Sequence, residues 1–311
     1  MDIADIVYGN LILVTGKGGV GKTQVTAALG TLAAAQGRKT AIVEMGDQTP
    51  SMNRIFSADI GYEPSKVADN LWALNLDWAA ALQEWIQRVV PIKRVVKLIL
   101  ENALVRRFLD ATPGNREVVV LSKLVWLCQQ YDLVVVDLPA SGHAASLMAA
   151  PHRMMELFHN GPIADRGREA MKLLADPGTN LVLVAMPEEM VINETIETWQ
   201  KIRKSNPELS MPLVVLNRAM RPTLTDDERE LLRRLEGVEA NRDTAEVLQA
   251  ARWEARREAS TADAMARLTA ETEMNLVEIP ALSAREGSAP LVRNVAAALA
   301  RSSNLRSRGG K

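Results

Sequence analysis

Apolar and polar positions along the chain follow two alternating rhythms. Short runs rich in β-branched residues occur at Leu11–Thr15, Thr40–Glu44, Asp132–Asp137, Asn180–Met186, Pro212–Asn217 and Asn275–Ile279, with Leu71–Leu76 as a weaker seventh. Such runs predict strands covered on both faces. Between most of them the period lengthens to that of a helix, as at Lys22–Gln36, Pro187–Lys204 and Thr225–Leu235. Strand–helix alternation predicts an α/β fold, a doubly wound and mostly parallel sheet with helices on both faces. No fixed-period repeat and no linker interrupts it, so residues 1–311 read as a single domain.

One interval departs from the alternation. From Asp77 to Gln130 the pattern is helical throughout, with Trp78, Leu82, Trp85 and Val89 on one face and Pro91 opening a new segment. A second helical stretch comes after His143, through "SLMAAPHRMMELFHNGPIADRGREAMKLL". The two insertions, about 77–130 and 143–176, are expected to form a helical subdomain on the sheet. The tail 301–311 is rich in Ser, Gly and Arg and is expected to be disordered.

Composition narrows the function classes. Hydrophobic residues make up 47% of the 311 and charged residues 24%, as in an ordinary globular protein. A formal net charge of −1 supplies no global field for nucleic acid or anionic membrane. The start, MDIADIVYGN, is acidic rather than basic, and no apolar run reaches the length of a membrane span. Cys128 is the single cysteine, too few for an intrachain disulfide or a Cys-pair zinc site. These features lead to the expectation of a cytoplasmic protein. The final helix, Pro290–Ala300, with Arg301, Arg306, Arg308 and Lys311 after it, leaves a peripheral membrane contact open.

"LILVTGKGGVGKTQVTAALGTLAAAQG" reads as a buried strand, a Gly-rich turn and a helix. That context turns G-x-x-x-x-G-K-[ST] into a phosphate-binding loop, so the expected fold is that of a P-loop NTPase. Backbone amides from Gly16, Lys17, Gly18, Gly19, Val20, Gly21, Lys22, Thr23 and Gln24 would surround phosphate oxygens, aided by the helix N-terminus. Lys22 is the phosphate lysine, and the Thr23 hydroxyl would ligate Mg²⁺. "YDLVVVDLPASGH" ends an apolar run on Asp137, the expected magnesium-holding acid, with a turn-capping Asp as the alternative. His143 reads equally as a switch residue or an exposed loop histidine. Lys17 is a second lysine at a position the pattern leaves free.

"GKGGVGKT" resembles the deviant phosphate loop of the signature-lysine ATPases, and "DLPASGH" is similar to the second switch of their arsenite-pump and tail-anchored-protein-targeting branch. "PGNREVVVLSKL", "MMELFHNGPIADRG" and "MPEEMVINETIETW" look like stretches of bacterial members of that branch. The resemblance implies an Mg-ATP-dependent dimer in which Lys17 reaches the partner subunit's nucleotide as an arginine finger would. It implies that Asn217, in "MPLVVLNRAM", and the loop Pro280, Ala281 and Leu282 hold adenine. It sets Asp47, in "IVEMGDQTPSMNRIF", on the acid that positions the attacking water, with Glu44 as the other candidate. Gln48 and Thr49 replace the family's Pro and Ala there, which leaves the rate of hydrolysis open. The cysteine ligands of the metal-carrying relatives are missing, so no zinc or iron–sulfur cluster is expected.

The chain admits two functional readings. In the first, nucleotide-driven opening and closing controls binding of a protein client, an apolar or membrane-associated segment. Trp72, Trp78, Trp85 and Trp126, with Met148, Met154, Met155 and Met171, would line its groove, unless those helices pack on one another. In the second, the chain is a slow switch or scaffold acting through a partner, either a second copy or a paralogous subunit. No basic stripe with base-stacking aromatics argues for nucleic acid.

Overall fold

The structure is a computed structural model that describes residues 3–45, 51–89, 114–238, 241–282 and 287–306. Among these residues, eight strands form one sheet in the order β3-β4-β2-β5-β1-β6-β7-β8. The strands are β1 (Leu11–Gly16), β2 (Thr40–Met45), β3 (Ser65–Ala68), β4 (Leu71–Leu76), β5 (Leu133–Asp137), β6 (Thr179–Ala185), β7 (Ser210–Ala219) and β8 (Asn275–Pro280). Of these, β3 alone runs antiparallel, pairing with β4 at the edge. Every residue of β1, β5 and β6 is buried, which is why their sequences are unbroken apolar runs rather than alternating ones.

The helices are α1 (Ile3–Val7), α2 (Lys22–Ala35), α3 (Ser51–Phe56), α4 (Trp78–Val89), α5 (Asn115–Cys128), α6 (Ser141–Leu157), α7 (Pro162–Ala175), α8 (Glu189–Ser205), α9 (Asp226–Arg234), α10 (Arg242–Glu271) and α11 (Ser288–Arg306). On one side α2 packs on β1, β2, β4 and β5 and is itself covered by α11, α3 and α1. On the other, α5 covers β5, α6 covers β1, α7 and α8 cover β6, and α10 covers β7 and β8. The stretch 143–176, expected as an insertion, is therefore largely a direct cover of the sheet. Met148 and Met154 lie inside that cover at 0% and 1% exposure. They pack rather than present a surface.

Within the interval 77–130, α4 and α5 pack on each other, and residues 90–113 lie outside the described part. Lys123 of α5, only 4% exposed, forms an ion pair with Glu84 of α4 at 2.8 Å. Arg88 adds a second pair to Glu84 at 2.6 Å, and the Tyr62 hydroxyl also donates to that carboxylate. Burial raises the Glu84 pKa, but the bonds from Lys123 and Tyr62 outweigh it and leave the carboxyl below its ordinary range. The Lys123 ammonium lies 4.3 Å from the Trp126 ring centroid and 4.6 Å from that of Tyr62. Residues 301–306, expected as part of a disordered tail, continue α11, while 307–311 lie outside the described residues.

All parallel strands point the same way, so their C-terminal ends share one edge of the sheet. β1 lies between β5 and β6, and the chain changes direction across the sheet there, having built one half before the other. Open parallel sheets bind ligands at such a point.

Candidate nucleotide site

The loop after β1 leaves the sheet at Gly16 and enters α2 at Lys22. Gly16 sits against β6, in register with Val184, and a Cβ there would run into the Val184 carbonyl. Gly21 has φ +96°, and a Cβ on it would strike the Asn217 amide. Gly18 and Gly19 face open space. Two glycines are thus required by close approach, and two leave room on the ligand side.

Thr23, in the first turn of α2, donates from Oγ1 to Asp137 Oδ2 at 2.6 Å. Asp137 is the last residue of β5, buried, and in register with both Val14 and Glu44. A hydroxyl and a buried carboxylate side by side are hard oxygen donors of the kind Mg²⁺ takes. Lys22 Nζ folds back to donate to the Lys17 carbonyl at 3.2 Å. Burial lowers the Lys22 pKa, and the carboxylates of Asp137 and Glu194 oppose that shift. The adjoining DLPASGH turn is tied to β1 by Leu138 N to Val14 O at 2.9 Å and Thr15 Oγ1 to Pro139 O at 3.1 Å. His143 is exposed in the first turn of α6.

Asn217, near the end of β7, has a structural role besides the adenine contact expected of it. Its Nδ2 donates to the Val20 carbonyl at 2.8 Å, bracing the loop from the side, and its Oδ1 accepts from Arg218 N at 2.9 Å. Beside it opens a cleft of about 250 Å³ that runs from Gly19 and Lys22 past Asn217 and Arg218 to Leu282, Leu291 and Val295. Its lining combines phosphate-loop residues with the apolar side chains Leu282, Leu291 and Val295, a mixture that suits a nucleotide's phosphates and base. Leu282 lines it. Pro280 and Ala281 lead the chain there, with Ala281 N bonded to Ala219 O at 3.2 Å. Arg218, at φ +57°, and the α11 residues Leu291 and Val295 were not singled out from the sequence. Nothing in their local pattern marks them, because they reach the cleft through strand order.

Of the two candidates for the first-switch acid, Glu44 lies within the described residues. Glu44, at the end of β2, accepts from the amides of Ser51 (2.8 Å) and Met52 (3.1 Å) and so anchors α3. Asp47 lies outside the described residues, as do Gln48 and Thr49.

Lys17 lies beside α8. Its Nζ is 3.3 Å from Glu194 Oε2, with both side chains about one third exposed. The Ser141 hydroxyl donates to the other oxygen of the same carboxylate. The Ser141 bond holds the Glu194 carboxyl below its ordinary range, burial opposes, and Lys17 adds to the lowering. Glu194 went unremarked in the sequence. It meets Lys17 because β6 pairs with β1, which sets the segments leaving the two strands side by side. Cys128 is half-buried, its thiol donating weakly to Asn10 O at 3.8 Å, and burial pushes its pKa up to about 12 with Asp176 adding to the effect. Among the described residues, no group of three or more His, Cys, Asp or Glu is disposed to hold a metal ion. Nor is any described helix long and apolar enough to cross a membrane.

Comparison with known proteins agrees with this geometry. Residues 9–161, from just before β1 to the end of the α6–α7 connection, match the family described as anion-transporting ATPase. ATPase BagA of Mycobacterium tuberculosis is 28% identical over 221 residues, 67% of this chain and 64% of that protein. The arsenical pump-driving ATPase of Escherichia coli is 28% identical over 208 residues, 59% of this chain and 35% of that protein. The chain thus spans just under two thirds of the first relative's length and about one third of the second's. The phosphate-loop motif and Asp137 both fall within the matched residues, and over that stretch the chain is similar to the anion-transporting ATPase family.

Proposed function

We propose that this chain binds Mg-ATP and hydrolyses it, and that the nucleotide controls closure of a dimer that takes up a protein client. The observation that carries the reading is the loop itself: Thr23 against Asp137 at 2.6 Å, Lys22 at the helix start, and a second lysine, Lys17, on the outer side. Thr23 and Asp137 would hold the Mg²⁺, which neutralises charge on the phosphates. The loop amides and Lys22 bind and orient the phosphates, and Asn217 keeps the loop in shape. Lys17 is surplus to that cradle, and its place at the rim suits a charge delivered to a second subunit's nucleotide. The relatives named as ATPases support hydrolysis in general terms. Trivalent arsenic as the effector lacks support, because it binds clustered thiolates and Cys128 is the single cysteine.

A slow switch working through a partner or paralogous subunit is the second reading. Its supporting observation is that Glu44, one candidate for the water-positioning acid, accepts two amides of α3.

The test is complementation. Lys17→Ala should bind ATP nearly as wild type does but turn over about a hundredfold more slowly, the typical cost of removing one preorganised charge. Lys22→Ala should lose binding. A mixed dimer of the two variants holds one nucleotide-competent site faced by one intact Lys17, so partial activity should return. Mixed dimers that form and stay inactive would rule out action in trans. Full turnover by Lys17→Ala alone would rule out any catalytic role for this lysine.

A further inference from the structure

We propose that Glu194 is a cis latch for Lys17: the carboxylate on α8 holds the lysine on its own subunit and must release it before Lys17 can serve a second one. This rests on the reading of Lys17 as acting in trans. Three observations carry it. The Lys17 ammonium stands 3.3 Å from Glu194 Oε2. The other oxygen of that carboxylate accepts the Ser141 hydroxyl, and Ser141 opens α6 directly after the turn that leaves Asp137. The third is the shared support of these groups. Lys17 comes after β1, Ser141 after β5 and Glu194 after β6, so three neighbouring strands deliver them to one point.

The latch has the strength a switch needs. Both partners are about one third exposed. An ion pair at that exposure is weak and can be exchanged for another partner at little cost. A charged phosphate offered by a second subunit is a better counterion for Lys17 than a solvated carboxylate. The Ser141 bond gives the latch a sensor. Asp137, four residues upstream, touches Thr23 of the magnesium site, and any shift of the intervening turn moves the hydroxyl that orients Glu194. Occupancy of the phosphate loop and freedom of Lys17 are thereby linked through four residues of chain. Glu194 does not line the cleft beside the phosphate loop, and it acts through Lys17 as a positioning residue.

The experiment measures the concentration of a non-hydrolysable ATP analogue at which the chain dimerises, by sedimentation velocity, for wild type, Glu194→Gln, Ser141→Ala and Glu194→Asp. Glu194→Gln should lower the midpoint roughly two- to five-fold, the range set by the loss of one exposed ion pair. Ser141→Ala should shift it the same way by less, and Glu194→Asp should stay nearer to wild type. The deciding arm repeats Glu194→Gln on a Lys17→Ala background, where the shift should vanish. A shift of equal size without Lys17 overturns the latch, because Glu194 would then act through something else. An unchanged or raised midpoint in Glu194→Gln overturns it as well. Failure of the trans reading shows differently, as undiminished turnover in Lys17→Ala, whatever Glu194 does. If no nucleotide-dependent dimer of wild type forms, both ideas fall.

Discussion

At the scale of single residues, the phosphate loop shows how few positions carry the site. Glycine is dictated at Gly16 by the Val184 carbonyl and at Gly21 by Asn217. The motif therefore records steric needs that only the folded sheet explains. Asn217 is the residue whose role the sequence told only in part. A side chain with donor and acceptor together suits an adenine edge, yet here its Nδ2 already braces the Val20 carbonyl. The two roles can be separated with a ligand that has no base. Asn217→Ala should weaken binding of tripolyphosphate as well as ATP, by roughly three- to tenfold, the worth of one ordinary hydrogen bond. Calorimetric titration with both ligands checks it. Loss confined to ATP would mean that the brace does not shape the loop. Lys22, Thr23 and Asp137 were legible because their spacing is local or their strand ends are recognisable. Arg218 and Glu194 were not, because their proximity to the loop is created by strand order.

At the scale of elements, the long helix α10 is the largest that the apolar pattern did not announce. It runs 30 residues, about 45 Å, from an Asn241 cap that accepts the Thr244 amide at 2.9 Å. Its first half is largely exposed, with Trp253 at 60%, and its buried positions are Glu258, Thr261, Ala264 and Leu268. A buried face with two polar residues and an alanine leaves few apolar positions to read, so the helix looks like a polar segment in the sequence. Polar bonds do the docking instead. Glu258 accepts from Thr223 N (2.6 Å), Thr223 Oγ1 (2.7 Å), Leu224 N (3.3 Å) and Arg229 (2.9 Å), and Thr261 accepts from Met220 N at 3.1 Å. These bonds hold the loop that leaves Asn217 and Arg218, so α10 supports one wall of the candidate nucleotide cleft. Burial opposes ionisation of Glu258, but the Thr223 bonds and Arg229 prevail and hold its pKa at about 2 against an ordinary 4.5. The unfolded chain then takes up this proton more readily than the folded one. The stabilisation is complete above about pH 4.5 and is lost as pH falls towards 2. Amide exchange over residues 220–230, taken relative to its intrinsic rate at each pH, should accelerate through that window in wild type. In Glu258→Gln it should already be about tenfold faster at pH 7, a loss in line with one charged hydrogen bond, and nearly flat below pH 4.5. Equal exchange in the two proteins at pH 7 would show that Glu258 does not secure the loop.

At the scale of the whole molecule, the parallel sheet was legible because its central strands are buried on both faces. The edge strand β3 was not, being four residues of alternating half-burial. The order of the strands was not legible either, yet it turns separate motifs into one site. It also gives the helical cover its connection to that site. α4 leaves the C-terminal end of β4, beside β2 and Glu44, and α5 leads into β5, which ends on Asp137. Movement at the site therefore reaches this pair of helices from two strands. The pair is fastened internally by Lys123 and Glu84, and removing one partner of such a buried pair typically costs about 3–5 kcal/mol, reduced here because Glu84 is partly solvated. A unit fastened in this way moves as a body. With ATP bound, amides on the outer turns of α4 (Trp78–Val89) should change exchange rate and an environment-sensitive dye should bind more strongly. Amides of α5 around Lys123 should stay protected in both states. Met148 and Met154, packed in the sheet cover, should contribute nothing to the dye signal, so Met148→Leu should leave it unaltered. If α4 and α5 both lose protection, the junction melts rather than moves, and the Lys123–Glu84 pair does not fasten the two helices. If neither exchange nor dye binding differs between apo and ATP-bound protein, the two helices are plain core, and any client surface must lie elsewhere on the chain.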